Sequence, residues 1–128
     1  MSYYFSKKIK GSFDKILKKV IASLKNEGFG ILTEIDVQAT LKKKLDVNFH
    51  KYMILGACNP PFAYKALQAE DKVGTMLPCS VIVQEKEEGE IEVAAVNPVA
   101  SMKAIENPEL LKIAQQVQEK MKKVVTSL

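Results

Sequence analysis

Two stretches of helical period, one near each end of the chain, each carry a single apolar face. In the first, Phe13, Ile16, Leu17, Val20, Ile21 and Leu24 recur at the spacing of one helix face, while Lys15, Lys18, Lys19 and Lys25 occupy the other. In the second, Leu110, Ala114, Val117, Met121, Val124 and Leu128 form a stripe, with Lys120, Lys122 and Lys123 toward the C-terminal end, where the helix dipole favours cations. A one-sided helix must lay its stripe on something. The stripe of the last helix spans fewer than about three heptads, too short for a self-sufficient coiled coil, so packing on a sheet is the expected solution. End signals agree. Ser12 stands at an N-cap position and Gly28 at the expected C′ position of the first helix, and Asn107-Pro108-Glu109 opens the last one.

The segments between read mainly as strands. Residues 2–8, 30–36, 51–57, 79–86 and 90–96 carry the expected composition, and Glu87-Glu88-Gly89 is a hairpin signal between the last two. The run from Lys51 to Ala57 is almost continuously apolar, which predicts a central strand covered on both faces. Val37–Leu45 and Pro61–Ala69 predict short connecting helices. The order β-α-β-β-β-β-α, leaving out those connections, predicts an α+β fold. We expect a largely antiparallel sheet with both long helices on one face, and one domain over residues 1–128. A long helix crossing a curved sheet leaves a gap, the default place for a small-molecule pocket.

Composition narrows the function classes. The formal net charge is +4, yet all 19 basic residues are lysine, and they lie among acids as in Gln84-Glu85-Lys86-Glu87-Glu88. Without arginine the chain lacks the bidentate fork that reads phosphate and guanine, so a nucleic-acid partner is not expected. No apolar run approaches the roughly 18 residues of a membrane span, and residues 1–8 lack the apolar core of a secretion signal. Two cysteines in 128 residues are no disulfide framework. The chain reads as a soluble cytoplasmic protein whose 47% hydrophobic content can build a core without covalent staples.

Those cysteines are the only soft nucleophiles. Cys58 ends an apolar strand and precedes a proline-led helix, and Cys79 opens the next strand. A thiol beside a helix N-terminus can be acidified by free N–H groups, which makes Cys58 and Cys79 candidate redox or sulfur-transfer residues. The alternative is that both are small buried hydrophobes. If the two strands are antiparallel neighbours the thiols share one rim; if the connection is a parallel crossover they stand a strand length apart, about 17 Å. Asn59 is placed to cap the following helix. Glu34 and Asp36 offer two carboxylates on one strand face, usable for acid–base work or simply solvated. Tyr52, Tyr64 and Lys65 are candidate polar pocket groups. His50 is the single histidine, and a site built from Cys58, Cys79 and His50 requires the fold to gather them, so no metal is expected. Gly28-Phe29-Gly30 follows a helix and lacks a third glycine, which excludes a dinucleotide loop.

The motifs Glu27-Gly28-Phe29-Gly30-Ile31-Leu32-Thr33-Glu34-Ile35-Asp36, Ile54-Leu55-Gly56-Ala57-Cys58-Asn59-Pro60 and Leu77-Pro78-Cys79 resemble those of a prokaryotic family known as domain of unknown function 302. The resemblance runs from about Gly11 to Pro98 and on through the last helix. It implies a TATA-binding-protein-like helix-on-sheet fold and a homodimer. It implies no activity and no cofactor, and a shared fold does not bring DNA binding with it. Glu34, Asp36, Cys58, Asn59, Pro60, Pro78 and Cys79 are the positions at which this chain matches the motifs, and all of them but Pro78 form the expected binding set.

Three functions follow from these readings. The first is a homodimeric module holding a small apolar or sulfur-containing ligand between sheet and helices. The second is a thiol-based redox or sulfur-transfer protein using Cys58 and Cys79. The third is an interaction subunit whose dimer surface includes Tyr3, Phe5 or part of the last helix.

Overall fold

A computed structural model describes residues 2–128. Five strands form one sheet: β1 (Tyr4–Lys10), β2 (Gly30–Asp36), β3 (Lys51–Cys58), β4 (Cys79–Glu87) and β5 (Glu90–Val96). Their spatial order is β1-β5-β4-β3-β2, and every neighbouring pair is antiparallel. Two long helices, α1 (Phe13–Asn26) and α5 (Pro108–Thr126), pack on one face. Short helices occupy the connections: α2 (Val37–Leu45), α3 (Pro60–Ala69) followed by a 3-10 turn (Asp71–Met76), and α4 (Pro98–Ser101). The α+β fold with two helices on one face of an antiparallel sheet is therefore the observed architecture.

The main core follows from the two periodicities. Phe13, Ile16, Val20 and Leu24 of α1 meet alternate strand residues: Leu55 and Ala57 of β3, Val81 and Val83 of β4, and Ile91, Val93 and Ala95 of β5. From α5, Val117, Met121, Val124 and Val125 complete it. The α5 stripe is wider than the sequence pattern, since Ile113 and Val125 are buried as well. A second cluster lies under the N-terminal half of α5. There Leu110, Ile113 and Ala114 pack with Ala66 of α3, Val73 of the turn and Met102.

Turn chemistry fits the expectations with two corrections. Gly28 (φ +87°) ends α1 in the left-handed region, and Gly89 (φ +79°) closes the β4–β5 hairpin. Asn107 caps α5, its Oδ1 accepting from the backbone N–H groups of Glu109 and Leu110 at 3.1 Å each. Ser12 occupies the N-cap position of α1 but makes no capping bond through its side chain. The same is true of Asn59 at α3, whose side chain is engaged elsewhere.

The place of β3 also differs from expectation. It is an interior strand, but β4 is the middle one. The helices cover only the face carrying Leu55 and Ala57, while Tyr52 and Ile54 on the other face are half-buried. Continuous hydrophobicity came from two sources: one face in the core, and one in an apolar patch on the uncovered side of the sheet.

Candidate functional site

The antiparallel pairing of β3 with β4 sets Ala57 directly opposite Cys79, with Cys58 one residue further on. Both thiols thus lie at one end of the sheet, and both are free. Their side chains start from opposite faces of the pleat. Ala57 and Cys79 point toward the helices, so Cys58 departs toward the other side and the pair is diagonal.

Beside them the second cluster does not close on the sheet. A cavity of about 290 Å³ remains between the β3–β4 rim, α3 and the first half of α5. Phe29, Ala57 and Cys79 line its sheet side, Phe62, Ala63 and Ala66 its α3 side, and Leu110, Ile113, Ala114 and Val117 its α5 side. Cys58, Asn59 and Pro78 stand at the rim strands, and Leu32 and Leu67, both largely exposed, reach the mouth. Small side chains explain the void: Ala57, Ala63, Ala66 and Ala114 face it where larger residues would fill it. Among the lining side chains only Asn59 carries nitrogen or oxygen.

The Asn59 amide is oriented by α1. Its Nδ2 donates to the carbonyl oxygen of Glu27 at 3.1 Å, and a Cβ on Gly28 would stand 3.1 Å from that same nitrogen. The β3–α3 corner is thereby tied to the end of α1. No hydrogen bond among the described residues uses Asn59 Oδ1, which leaves that acceptor at the edge of an otherwise apolar chamber.

Burial, and secondarily the nearby Cys58 thiol, pushes the Cys79 pKa up to about 11. Near neutral pH Cys79 is a neutral thiol behaving as a small hydrophobe. The start of α3 beside Cys58 also offers fewer free N–H groups than an ordinary helix N-terminus. The first two residues of α3 are Pro60 and Pro61, which carry no N–H, and the Ala63 N–H is bonded to the Asn59 carbonyl. Of the helix-start donors, few are left for a thiolate.

The family model for the domain of unknown function DUF302 matches residues 5–128. The chain belongs to the DUF302 family. A crystal structure described as that of an uncharacterized conserved protein DUF302 from Bacillus stearothermophilus is similar throughout. Its TM-score is 0.90 at 25% sequence identity, covering 98% of this chain and 98% of that one. No curated protein matches the chain in sequence.

In this DUF302 domain the residues expected from the sequence separate into two groups. Cys58, Asn59 and Cys79 line the cavity; Pro60, Glu34 and Asp36 do not. Pro60 is exposed at the first position of α3. Asp36 is the N-cap of α2, its Oδ1 accepting from the Ala39 N–H at 3.0 Å, and Glu34 is exposed on the outermost strand. Tyr64 and Lys65 project from the solvent side of α3. His50 precedes β3, at the end of the sheet remote from Cys58, and its ring bonds Gln84, so the three-ligand grouping with the cysteines is not assembled. Among the described residues no group of three or more His, Cys, Asp or Glu side chains could hold a metal ion. No helix among them is long and apolar enough to cross a membrane. The wall residues Phe29, Phe62, Ala66 and Ile113 were not singled out in advance. Phe62 and Ala66, four apart on α3, carried a faint helical signal; the others take part only because of how the elements pack.

Proposed function

We propose that this DUF302 domain is a single-domain binding module for a small apolar ligand, held in the cavity between the β3–β4 rim, α3 and α5. The cavity itself carries the reading. At about 290 Å³ it is roughly twice the volume of an apolar protein cavity known to take up benzene, and its lining is apolar apart from Asn59. The ligand class is a compact aromatic, aliphatic or thioether molecule with at most one polar group, which Asn59 Oδ1 and the rim backbone would orient. A neutral Cys79 thiol supports binding over thiolate chemistry, since a redox or transfer role needs an ionised sulfur.

The same reading includes a cytoplasmic homodimer. Two free thiols suit a reducing compartment. β2 is an edge strand that exposes Leu32 (64%) and Ile35 (46%), and such an edge is a template for pairing with a second copy. Leu32 also stands at the cavity mouth, so pairing there would cover the opening. Phe5 is partly buried against the main core, and this reading places the pairing at β2 rather than at Phe5.

Titration with thioanisole, followed by the methyl signals of Ala66 and Met102, tests the ligand reading. Saturable shifts in the wild type that vanish in Ala66→Phe, where the ring occupies the chamber, support it. Undisturbed methyl signals, or equal binding to Ala66→Phe, refute it. Light scattering on Leu32→Lys tests the dimer, with a halved mass expected.

A further inference from the structure

The face of the sheet opposite α1 and α5 carries a second concavity, unrelated to the cysteine rim. Its floor is made of small residues, Ser80 and Ala94, with Ile82 between neighbouring strands; Tyr3, Tyr4 and Tyr52 rise around it. The volume is about 410 Å³. Tyr3 and Tyr4 meet edge to face, ring centroids 4.9 Å apart.

One formal charge lines this groove, and it is negative. Glu92 lies opposite Lys8 on β1 and Gln84 on β4, but no lysine among the described residues forms an ion pair with it. Its orientation is set by a relay. Gln84, 7% exposed, donates from Nε2 to Glu92 Oε1 at 2.9 Å, and Gln84 Oε1 bonds His50 Nε2 at 2.8 Å. An amide oxygen only accepts, so His50 Nε2 carries the hydrogen and the Gln84 amide is locked with its donor toward the carboxylate. Phe49 stacks on His50 at 4.1 Å and holds that end of the relay. The phenol of Tyr52 is also raised above its ordinary pKa, by burial first and then by Glu92 and Tyr3, which sets these three side chains within electrostatic reach of one another.

We propose that this groove binds a free organic ammonium ion, with the tyrosine rings around the cation and Glu92 as its counter-ion. The aromatic faces present negative electrostatic potential, and rings gathered about a carboxylate are the arrangement that recognises alkylammonium groups. Lys8, across from Glu92 on β1, is not among the residues that line the groove, so the carboxylate is the charge the groove presents. The preorganised Gln84 amide keeps the carboxylate in place before the ligand arrives.

NMR titration with choline tests this, with uncharged 3,3-dimethyl-1-butanol, which has the same shape, as control. Saturable movement of the Tyr3, Tyr4 and Tyr52 ring signals is expected with choline, and binding of the neutral analogue weaker by about tenfold or more. Glu92→Gln, which can still accept from Gln84, is expected to weaken choline by a similar factor. Tyr4→Leu, at an exposed position that should not disturb folding, is expected to weaken it several-fold. Equal binding of the neutral analogue, unchanged affinity in both variants, or no response to choline would overturn the proposal. So would ring shifts that depend on protein concentration alone, since the occupant would then be a second copy of the chain.

Discussion

Asn59 donates from Nδ2 to the carbonyl oxygen of Glu27, 3.1 Å away, and so joins the start of α3 to the end of α1. The side chain sits at a helix N-cap yet spends its donor on another helix, which makes it a tertiary tie at the cavity rim. Asn59→Ala is expected to lower stability by about 1–3 kcal/mol, the cost of leaving a half-buried carbonyl without its partner. Asn59→Asp should cost more, because a carboxylate cannot donate and would face that carbonyl. Gly28→Ala attacks the same corner: φ of +87° strains any β-carbon, and the added methyl stands 3.1 Å from Asn59 Nδ2. A loss of about 1–2 kcal/mol is expected. Urea midpoints at unchanged m-value measure all three.

Gly56 is required by close approach. A β-carbon there would overlap Thr33 Oγ1 and stand 2.8 Å from Pro78 Cγ. Gly56→Ala should therefore lower the thermal midpoint and disturb β2 and the Pro78 turn together. Combining it with Thr33→Ala should recover part of the loss and no more, because the Pro78 contact persists. Thermal melts of the two single variants and the double variant give the comparison.

Cys79 predicts a pH dependence whose sign is determined. Its folded pKa, about 11, lies above the ordinary 9.0 of an exposed thiol. The neutral form is favoured in the fold, so this contribution is fully present below about pH 9. Between about 9 and 11 the unfolded chain loses its proton first, binds fewer protons than the folded one, and stability falls as pH rises. The difference in unfolding free energy between wild type and Cys79→Ala should shrink by about 2–3 kcal/mol across that window. At neutral pH iodoacetamide should modify Cys79 slowly in the native protein and rapidly after unfolding. Fast native labelling would favour the thiol reading over the ligand-binding one.

The two helix starts are expected to differ. Asn107 caps α5 through two accepted bonds, and its Nδ2 also donates to the Ala69 carbonyl at 2.8 Å. Asn107→Ala should cost about 1–2 kcal/mol. Ser12 makes no side-chain capping bond, and Ser12→Ala should change stability by less than about 0.5 kcal/mol. Chemical denaturation of the two variants side by side is the check.

Leucines of equal chemistry should likewise separate by position. Leu55 is wholly buried in the main core, whereas Leu67 is 44% exposed at the cavity mouth. Leu55→Ala is expected to cost about 2–5 kcal/mol. Leu67→Ala should be close to neutral in stability but should alter ligand access, which the thioanisole titration would show as a changed affinity.

Much of the architecture was legible in the chain because it rests on short-range periodicity. The spacing of Phe13 to Leu24 and of Leu110 to Val124 selects one face of a helix by geometry alone. Alternation in Ile91, Val93 and Ala95 does the same for β5, and Glu88-Gly89 marks the turn before it. Antiparallel pairing of β3 with β4 followed from the fold class, and with it the shared rim of the two thiols. The resemblance in the Cys58 and Cys79 motifs, which sit where β3 ends and β4 begins, led to the right family.

Residue type and local spacing therefore determined the five strands, the two long helices, their order and the family. They could not determine which of two well-formed caps would be used, because Asn59 and Asn107 look alike until Glu27 or Ala69 arrives from elsewhere in the chain. Nor could they place Glu34 and Asp36 outside the cavity, or show that Ala57, Ala63, Ala66 and Ala114 converge on one void. Voids, buried thiols and the Glu92–tyrosine groove arise where residues distant in sequence fail or manage to meet, and that depends on three-dimensional packing. It was the tertiary structure that turned a strand-end cysteine into a neutral wall of a chamber and an unremarked glutamate into the one charge of a second site.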